Sequence, residues 1–305
     1  MKQPNFFAEN DFERTTEKRA DAKWFKRTFM SPGAVFLPIW RKHNFIDQKT
    51  ASPKAAYLTR QELPEFQYQE ENIVFLGFRN QVPYFSIDLS YLENPEDNHL
   101  LAKKGKFLDI RKVGLQLPRN DGGALAYARA LVHWHQTNQY CGRCGSKTET
   151  QSSGHVRKCK NSSCSAEHFP RTDSAVIMVV SRGEKICLAR KPGWSPEQYS
   201  ILAGFLEPGE TPENAVVREV KEEVGLKVDN VRYHSSQPWP FPTNLMLGYF
   251  SEAQSDKITI DNCEIEHARW FSREELTPEA LLYQKKPQSV SIARRMIADW
   301  VLGNF

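Results

Sequence analysis

Hydrophobic positions along the chain follow two periods, and the switches between them mark its elements. Short apolar runs at residues 73–78 (IVFLGF) and 84–89 (YFSIDL), separated by a polar turn, predict a strand pair. Gly122-Gly123 marks a break, after which Leu125, Ala128, Leu131 and Val132 recur at helical spacing over 124–135. His133 and His135 lie two apart, share no helical face, and are read as ordinary helix residues. From Ser174 the texture changes. Runs at 175–180 and 185–189 predict a hairpin across 181–184. A helix of about 13 residues follows: Thr211 is its cap, Pro212 its first residue, Val216, Val220 and Val224 its apolar stripe, and Gly225 its stop. Strand-like runs recur at 245–250, 258–260 and 268–271. Residues 289–302 predict a closing helix with Ile292, Met296, Ile297 and Trp300 apolar. Strands and helices alternating around one mixed sheet give an α/β (α+β) class and an α/β/α sandwich.

This pattern divides the chain into an N-terminal domain (1–122), a linker helix (123–138), a Cys-rich segment (139–171) and a C-terminal domain (172–305). At 305 residues there is room for two domains. Hydrophobic content of 40% and charged content of 26% are ordinary for a globular protein. A net charge of +4 permits a polyanionic ligand without demanding nucleic acid. No run of 18 apolar residues predicts a membrane span, so no membrane partner is expected. The first residues lack a signal-peptide core and carry acids early, and the last match no retention or peroxisomal tripeptide. An intracellular, cytoplasmic location is expected, with organelle targeting left open. Residues 1–122 carry no motif that translates into chemistry, and 17–27 read as a solvated amphipathic helix.

Four of the six cysteines fall within 24 residues: Cys141-x2-Cys144 and Cys159-x4-Cys164. Two such pairs separated by 14 residues resemble a zinc ribbon, whose four thiolates close a tetrahedral Zn²⁺ and leave no open position for catalysis. The second pair is wider than the usual two-residue gap. Cys187, in an apolar run, reads as a buried thiol, and Cys263 stands apart.

The densest chemistry lies in 204–226, GFLEPGETPENAVVREVKEEVGL. Pro208-Gly209 makes a loop that runs into the helix. Glu219, Glu222 and Glu223 share one helical face, where unrelieved like charges cost a few tenths of a kcal/mol each. Hard oxygen ligands clustered in this way suit Mg²⁺ or Mn²⁺, which keep waters and bridge to substrate phosphates. The spacing Gly204-x5-Glu210-x7-Arg218-Glu219-x2-Glu222-Glu223-x-Gly225 resembles the Nudix box of the Nudix hydrolases, which cleave nucleoside diphosphates linked to another moiety. Downstream, residues 236–242 (SQPWPFP) alternate prolines with aromatics, a stiff wall suited to flat ligands. Beside the box, this segment resembles the signature of the NADH pyrophosphatase subfamily.

The resemblance covers roughly residues 70–305 and implies an N-terminal mixed α/β domain, a zinc ribbon and a Nudix α/β/α sandwich, assembled as a homodimer. It implies that the Ala203 backbone with Glu219, Glu223 and Glu264 holds two to three Mg²⁺ or Mn²⁺ ions, that Glu222 assists, and that Arg218 pairs with Glu210 to brace the loop. Phe169 and Phe205 would stack on the ligand's rings. Gln237, Pro238, Trp239, Pro240, Phe241, Pro242, Thr243, Asn244 and Ala293 would line the dinucleotide pocket. The implied activity is metal-dependent hydrolysis of NADH or NAD⁺ to AMP and the nicotinamide mononucleotide, with removal of NAD caps from RNA in some members. One departure stands out: the subfamily has Ser where this chain has Asn244, after Thr243, which bears on substrate preference. The alternative is the same box acting mainly on another nucleoside diphosphate derivative, such as ADP-ribose or a diadenosine polyphosphate. A non-catalytic nucleotide or RNA-binding protein would predict damaged box residues, and none is damaged. Nucleic-acid binding through the ribbon as the main role is disfavoured by the modest charge and the absence of a basic stripe.

Overall fold

The computed structural model describes residues 3–49, 52–63, 66, 68–260, 263–276 and 290–304. The chain divides into two compact units, one made of residues 7–172 with 240–243, the other of 3–6, 173–239 and 244 onward.

The first unit holds two sheets. The larger has seven strands: β1 (Val35–Trp40), β2 (His43–Asp47), β3 (Lys54–Ala55), β4 (Leu58–Thr59), β5 (Ile73–Arg79), β6 (Val82–Asp88) and β7 (Lys106–Leu108). Its order is β3-β2-β1-β6-β5, with β4 on β1 and β7 on β2, and β1 runs parallel to β6. One face buries an aromatic cluster: Phe36 stacks on Phe85 at 5.3 Å, and Phe29, from the helix Ala22–Phe29, meets Phe85 edge-on at 5.7 Å. Elsewhere on this sheet packs the long helix Arg119–Thr137, tied to β2 by the buried Asn44 Nδ2 donating to Leu125 O at 2.9 Å.

This helix departs from the expected break at Gly122-Gly123: both glycines lie inside it. Gly123 is there for contact, not for termination. A Cβ at that position would sit 1.5 Å from Glu9 O, so only glycine lets the two backbones meet. Eleven residues of the helix are buried, and it packs on β1, β2, β3, β5 and β6.

The smaller sheet, β8 (Thr148–Gln151), β9 (Val156–Cys159) and β10 (Glu167–His168), forms an antiparallel ribbon in the order β10-β9-β8. His135, from the long helix, reaches it: Nε2–H donates to Gly154 O at 2.8 Å, and Nδ1 accepts from Arg157 Nη1 at 2.9 Å. Both ring nitrogens are committed to the neutral imidazole, and burial pushes the pKa down to about 4.

The second unit is built on one six-stranded sheet of β11 (Asp173–Arg182), β12 (Lys185–Arg190), β13 (Leu202–Phe205), β14 (Val228–Trp239), β15 (Asn244–Ala253) and β16 (His267–Ser272). The order is β14-β15-β11-β12-β16, with β13 on β11 and a parallel β11–β15 pair at its centre. Alternation along β11 builds both faces. Val176, Met178 and Val180 pack toward Ala215, Val216, Val220 and Val224 of the box helix Pro212–Val224. Ile177 and Val179 pack toward Ile292, Met296, Ile297 and Trp300 of the closing helix Ile292–Val301. The result is the expected α/β/α sandwich.

Two sequence expectations change here. Residues 258–260 form no strand. Ile258 and Ile260 are apolar because they pack on the box-helix core, and Thr259 N donates to Val224 O at 2.9 Å at the helix end. The wall at 236–242 splits, with its first half completing edge strand β14, where proline is tolerated, and residues 240–243 forming a turn.

The depressed pKa of His135 sets a test of the first unit. A histidine neutral in the fold contributes stability that is present above its unfolded pKa of about 6.5 and is lost as pH falls through about 4. The full shift corresponds to roughly 3 kcal/mol. Urea midpoints measured from pH 7.5 to 4.5 should fall less steeply in His135→Gln than in the wild type; equal slopes would rule out this source.

Candidate active site

The box helix starts and stops as its sequence dictates. Thr211 Oγ1 accepts from Asn214 N at 3.3 Å, and Gly225 adopts the left-handed conformation at φ 71°. Glu219, Glu222 and Glu223 therefore sit in the last two turns, and Arg218 precedes them. All five guanidinium donors of Arg218 are engaged. Nε and Nη2 donate to the two oxygens of Glu210 at 2.8 and 2.9 Å. Nη1 donates to Glu219 Oε1 at 2.8 Å and Glu222 Oε2 at 2.9 Å, and Nη2 also donates to Phe205 O at 2.9 Å. Glu210 in turn accepts from Glu207 N at 3.1 Å. The hydrogen bonds from Arg218 hold the Glu210 carboxyl below the usual glutamate range.

Glu219 lies against β13. A Cβ on Gly204 would fall 1.9 Å from Glu219 Cδ and 2.1 Å from both carboxylate oxygens, so the absent side chain is the cradle for this carboxylate. Burial raises the Glu219 pKa; Arg218 opposes the rise, while the charges of Glu222 and Glu264 add to it. Glu264 thus falls within electrostatic reach of Glu219 although it is 45 positions away and exposed. Glu223 is only 3% exposed, with Lys191 Nζ at 3.9 Å from Oε1. Its charge, after burial, contributes to a Cys187 thiol pushed up to about 12.

These donors fit a divalent cation. They are hard oxygens, partly desolvated, and crowded against a backbone that leaves them room at Gly204. Among the described residues the tight metal-type cluster is that of the four thiols, while Arg218 Nη1 bridges Glu219 and Glu222.

The other expected site residues are placed as follows. Ala203 is opposite Ile177 in the β11–β13 pair. Phe205 is 56% exposed at the end of β13, and in the first unit Phe169 is 61% exposed after β10. Pro238 and Trp239 are paired with Leu245 and Asn244, and Asn244 also pairs with Asp173. Within the first unit, Pro240 is buried and its carbonyl accepts from Arg129 Nε at 2.9 Å. Phe241 carries the guanidiniums of Arg111 and Arg129 at 4.9 and 4.8 Å; Pro242 is exposed and Thr243 half-buried beside it. Ala293 is buried in the cluster under the closing helix.

Gln237 is held by backbone. It is fully buried, donates to Phe6 O at 3.1 Å and Val290 O at 2.7 Å, and accepts from Ile292 N at 2.7 Å. These bonds tie its amide to backbone at the start of the closing helix. Lys191, Arg111 and Arg129 were not foreseen; no local sequence signal distinguishes them from ordinary surface cations.

In the ribbon, the ligand atoms of Cys141, Cys144, Cys159 and Cys164 all lie within 4.8 Å of one another. The sulfur separations of 3.4 Å (Cys144–Cys159) and 3.8 Å (Cys141–Cys164) match the spacing of about 3.8 Å that a tetrahedral zinc with Zn–S near 2.3 Å imposes. The wide second knuckle is accommodated by a turn in which Cys164 N and Ser165 N both donate to Asn161 O at 2.9 Å, with Ser165 at φ 46°. His168 Nε2 lies 3.3 Å from Cys141 Sγ, an outer contact the spacing alone does not reveal. The Ser146 hydrogen bonds pull the Cys144 thiol down to about 6.

Family models match the whole arrangement in order: an NADH pyrophosphatase-like rudimentary NUDIX domain at 33–134, the NADH pyrophosphatase zinc ribbon domain at 136–169 and a NUDIX domain at 170–295. NAD-capped RNA hydrolase NUDT12 of Macaca fascicularis is 31% identical over 97% of this chain and 73% of its own length. The chain belongs to the NADH pyrophosphatase subfamily of the Nudix hydrolases. NAD-capped RNA hydrolase NudC of Pseudomonas aeruginosa (strain LESB58) is 43% identical over 57% of this chain and 59% of its own. Nudix hydrolase 19, chloroplastic, of Arabidopsis thaliana is 37% identical over 74% of this chain, which spans only 55% of that relative. Among the described residues of this Nudix hydrolase, no helix is long and apolar enough to cross a membrane.

Two outcomes follow for the Nudix box. Gly204→Ala should weaken Mg²⁺ binding more than tenfold while leaving the sandwich folded, because the added methyl displaces the Glu219 carboxylate and not a core side chain; calorimetric titration of the variant with an unchanged Kd would contradict the cradle. Since the Glu219 pKa is raised, its contribution to apoprotein stability is present at low pH and lost as pH rises through the folded value. Added Mg²⁺ should therefore raise Tm more at pH 8 than at pH 5, and an equal rise at both would disprove the linkage.

Proposed function

We propose that this protein hydrolyses the pyrophosphate of NADH or NAD⁺ to AMP and the nicotinamide mononucleotide, and removes NAD caps from RNA. The carrying observation is the intact, Arg218-braced carboxylate set on the cradle at Gly204, in a chain that also carries SQPWPFP and the zinc ribbon. Two relatives named NAD-capped RNA hydrolases support the substrate class.

Glu219, Glu223, Glu264 and the Ala203 carbonyl are the groups assigned to hold Mg²⁺ or Mn²⁺. When bound, such ions neutralise the diphosphate and lower the pKa of an attacking water. Arg218 and Gly204 fix Glu219, so its carboxylate is set before substrate arrives. Water attacks one phosphorus, the bridging oxygen leaves with the other phosphate, and Glu222 or Glu223 takes the proton. Of the two, the Glu222 side chain is the more open to water, at 59% exposed. Phe205 offers an exposed ring for stacking on a base or nicotinamide. Asn244 would tune which dinucleotide fits, with a donor and an acceptor where the subfamily has a hydroxyl. The ribbon cysteines are assigned a structural Zn²⁺, and the assembly a homodimer.

The decisive experiment measures kcat/KM on NADH, ADP-ribose, a diadenosine polyphosphate and NAD-capped RNA with Mg²⁺. NADH and capped RNA should lead, releasing the mononucleotide; a preference for ADP-ribose would overturn the substrate reading and leave the Nudix chemistry standing. Glu219→Gln should lower kcat by at least about 100-fold with little loss of Tm, as expected when a transition-state charge stabiliser is removed. Near-full activity in that variant would sink the metal assignment.

A further inference from the structure

Away from the box, the unit of residues 7–172 contains a cleft of about 390 Å³ between the end of the long helix, the ribbon and the start of β5. That volume suits a ligand the size of a nucleotide. Among its lining groups is Arg157 on β9, 5% exposed. Its guanidinium donates to Thr148 Oγ1 at 2.7 Å, Thr148 O at 3.2 Å, Thr150 Oγ1 at 3.3 Å and His135 Nδ1 at 2.9 Å. Every one of these acceptors is neutral. Among the described residues no carboxylate forms an ion pair with it, and Glu71, on the cleft wall, acts on it only as a charge at a distance. A largely buried cation with no direct ion pair adds positive potential to the cleft, which favours an anion there.

The rest of the lining is matched to such an anion. Lys147 and Lys160 are exposed, and Lys160 N donates to Lys147 O at 2.9 Å, which places the two residues side by side. Tyr140 contributes a ring 60% exposed, next to the exposed amide of Gln139. The one other acid in the lining, Asp88, already accepts from Gln136 Nε2 at 2.8 Å. Six basic and two acidic residues fall within 139–171, so this stretch alone carries an excess equal to the whole chain's +4.

We propose that this cleft binds a nucleotide unit, its phosphate between Lys147 and Lys160 and its base against Tyr140, with Gln139 at the base's polar edge. Lysines for phosphate and an exposed ring for stacking are the pairing that single-stranded nucleic-acid sites use. The same chemistry would accept a residue of an RNA strand or a free mononucleotide. The site lies outside the box and its occupancy does not depend on which dinucleotide the enzyme cleaves.

The test uses the full-length, zinc-loaded protein without added divalent cations, so that nothing turns over. Fluorescence anisotropy with a short uncapped single-stranded RNA and calorimetry with AMP form its two arms. Lys147→Glu with Lys160→Glu should weaken binding at least tenfold at low salt and flatten the dependence of log K on log salt. Tyr140→Ala should weaken it severalfold without changing that slope. NADH hydrolysis and zinc content should stay within twofold of wild type in all variants. Lys147→Gln with Lys160→Gln serves if charge reversal unfolds the ribbon. Binding of RNA alone identifies a strand site, and binding of AMP identifies a mononucleotide site. Failure of both ligands to bind, or affinity unchanged in the lysine variants, overturns the proposal, whatever the activity on NADH.

Discussion

Arg218 is the joint on which the candidate site depends. Three carboxylates on one helical face, with a fourth in the preceding loop, would repel each other and open the loop. One planar guanidinium prevents this by directing its five donors at Glu210, Glu219, Glu222 and the Phe205 carbonyl. A lysine, a point charge with no fork, could not bridge loop and helix in this way. The same contacts hold Glu219 against the bare Gly204 backbone, so loop, strand and helix are fixed relative to one another within a single domain. Pre-organisation of this kind matters most for a reaction in which charge on the phosphates must be met without further rearrangement.

Locally determined features were legible in the sequence. The Thr211-Pro212 start and Gly225 stop of the box helix, the hairpin of β11 and β12 and the four-cysteine cluster all depend on residues close in the chain, and each is found where its pattern placed it. Features set by distant neighbours were not legible. Gly123 reads as a helix breaker, yet it is a contact point for Glu9, 114 positions earlier. Ile258 and Ile260 have the composition of a strand, but their partners lie in the box-helix core. Gln237 sits within a signature that suggests ligand contact, while its amide binds backbone at Phe6, Val290 and Ile292. The spacing of glutamates identified the carboxylate face, and only the folded chain reveals that Arg218 bridges two of them.

The two large sheets repeat a theme and differ in chemistry. Each has a central parallel pair, β1 with β6 and β11 with β15, flanked by antiparallel strands. The first is matched by a model described as a rudimentary NUDIX domain. Its long helix buries Gly122, Gly123, Ala124, Ala126 and Ala128, whereas the box helix carries Glu213, Glu219, Glu222 and Glu223. Small residues there allow close packing on the sheet and offer no ligand for a cation. A shared sheet plan thus carries different side chains in the two units, and function is argued from the site more than from the fold.

On the reading proposed above, a catalytic cation binds at the Glu219 carboxylate, held by Arg218 in the space at Gly204. Anomalous diffraction from crystals soaked in Mn²⁺ tests it most directly. A peak is expected about 2.1 Å from a Glu219 carboxylate oxygen, the usual distance for small hard cations, with Glu223 and the Ala203 carbonyl alongside. Ordered Mn²⁺ elsewhere, with Glu219 still bound only to Arg218, would contradict it.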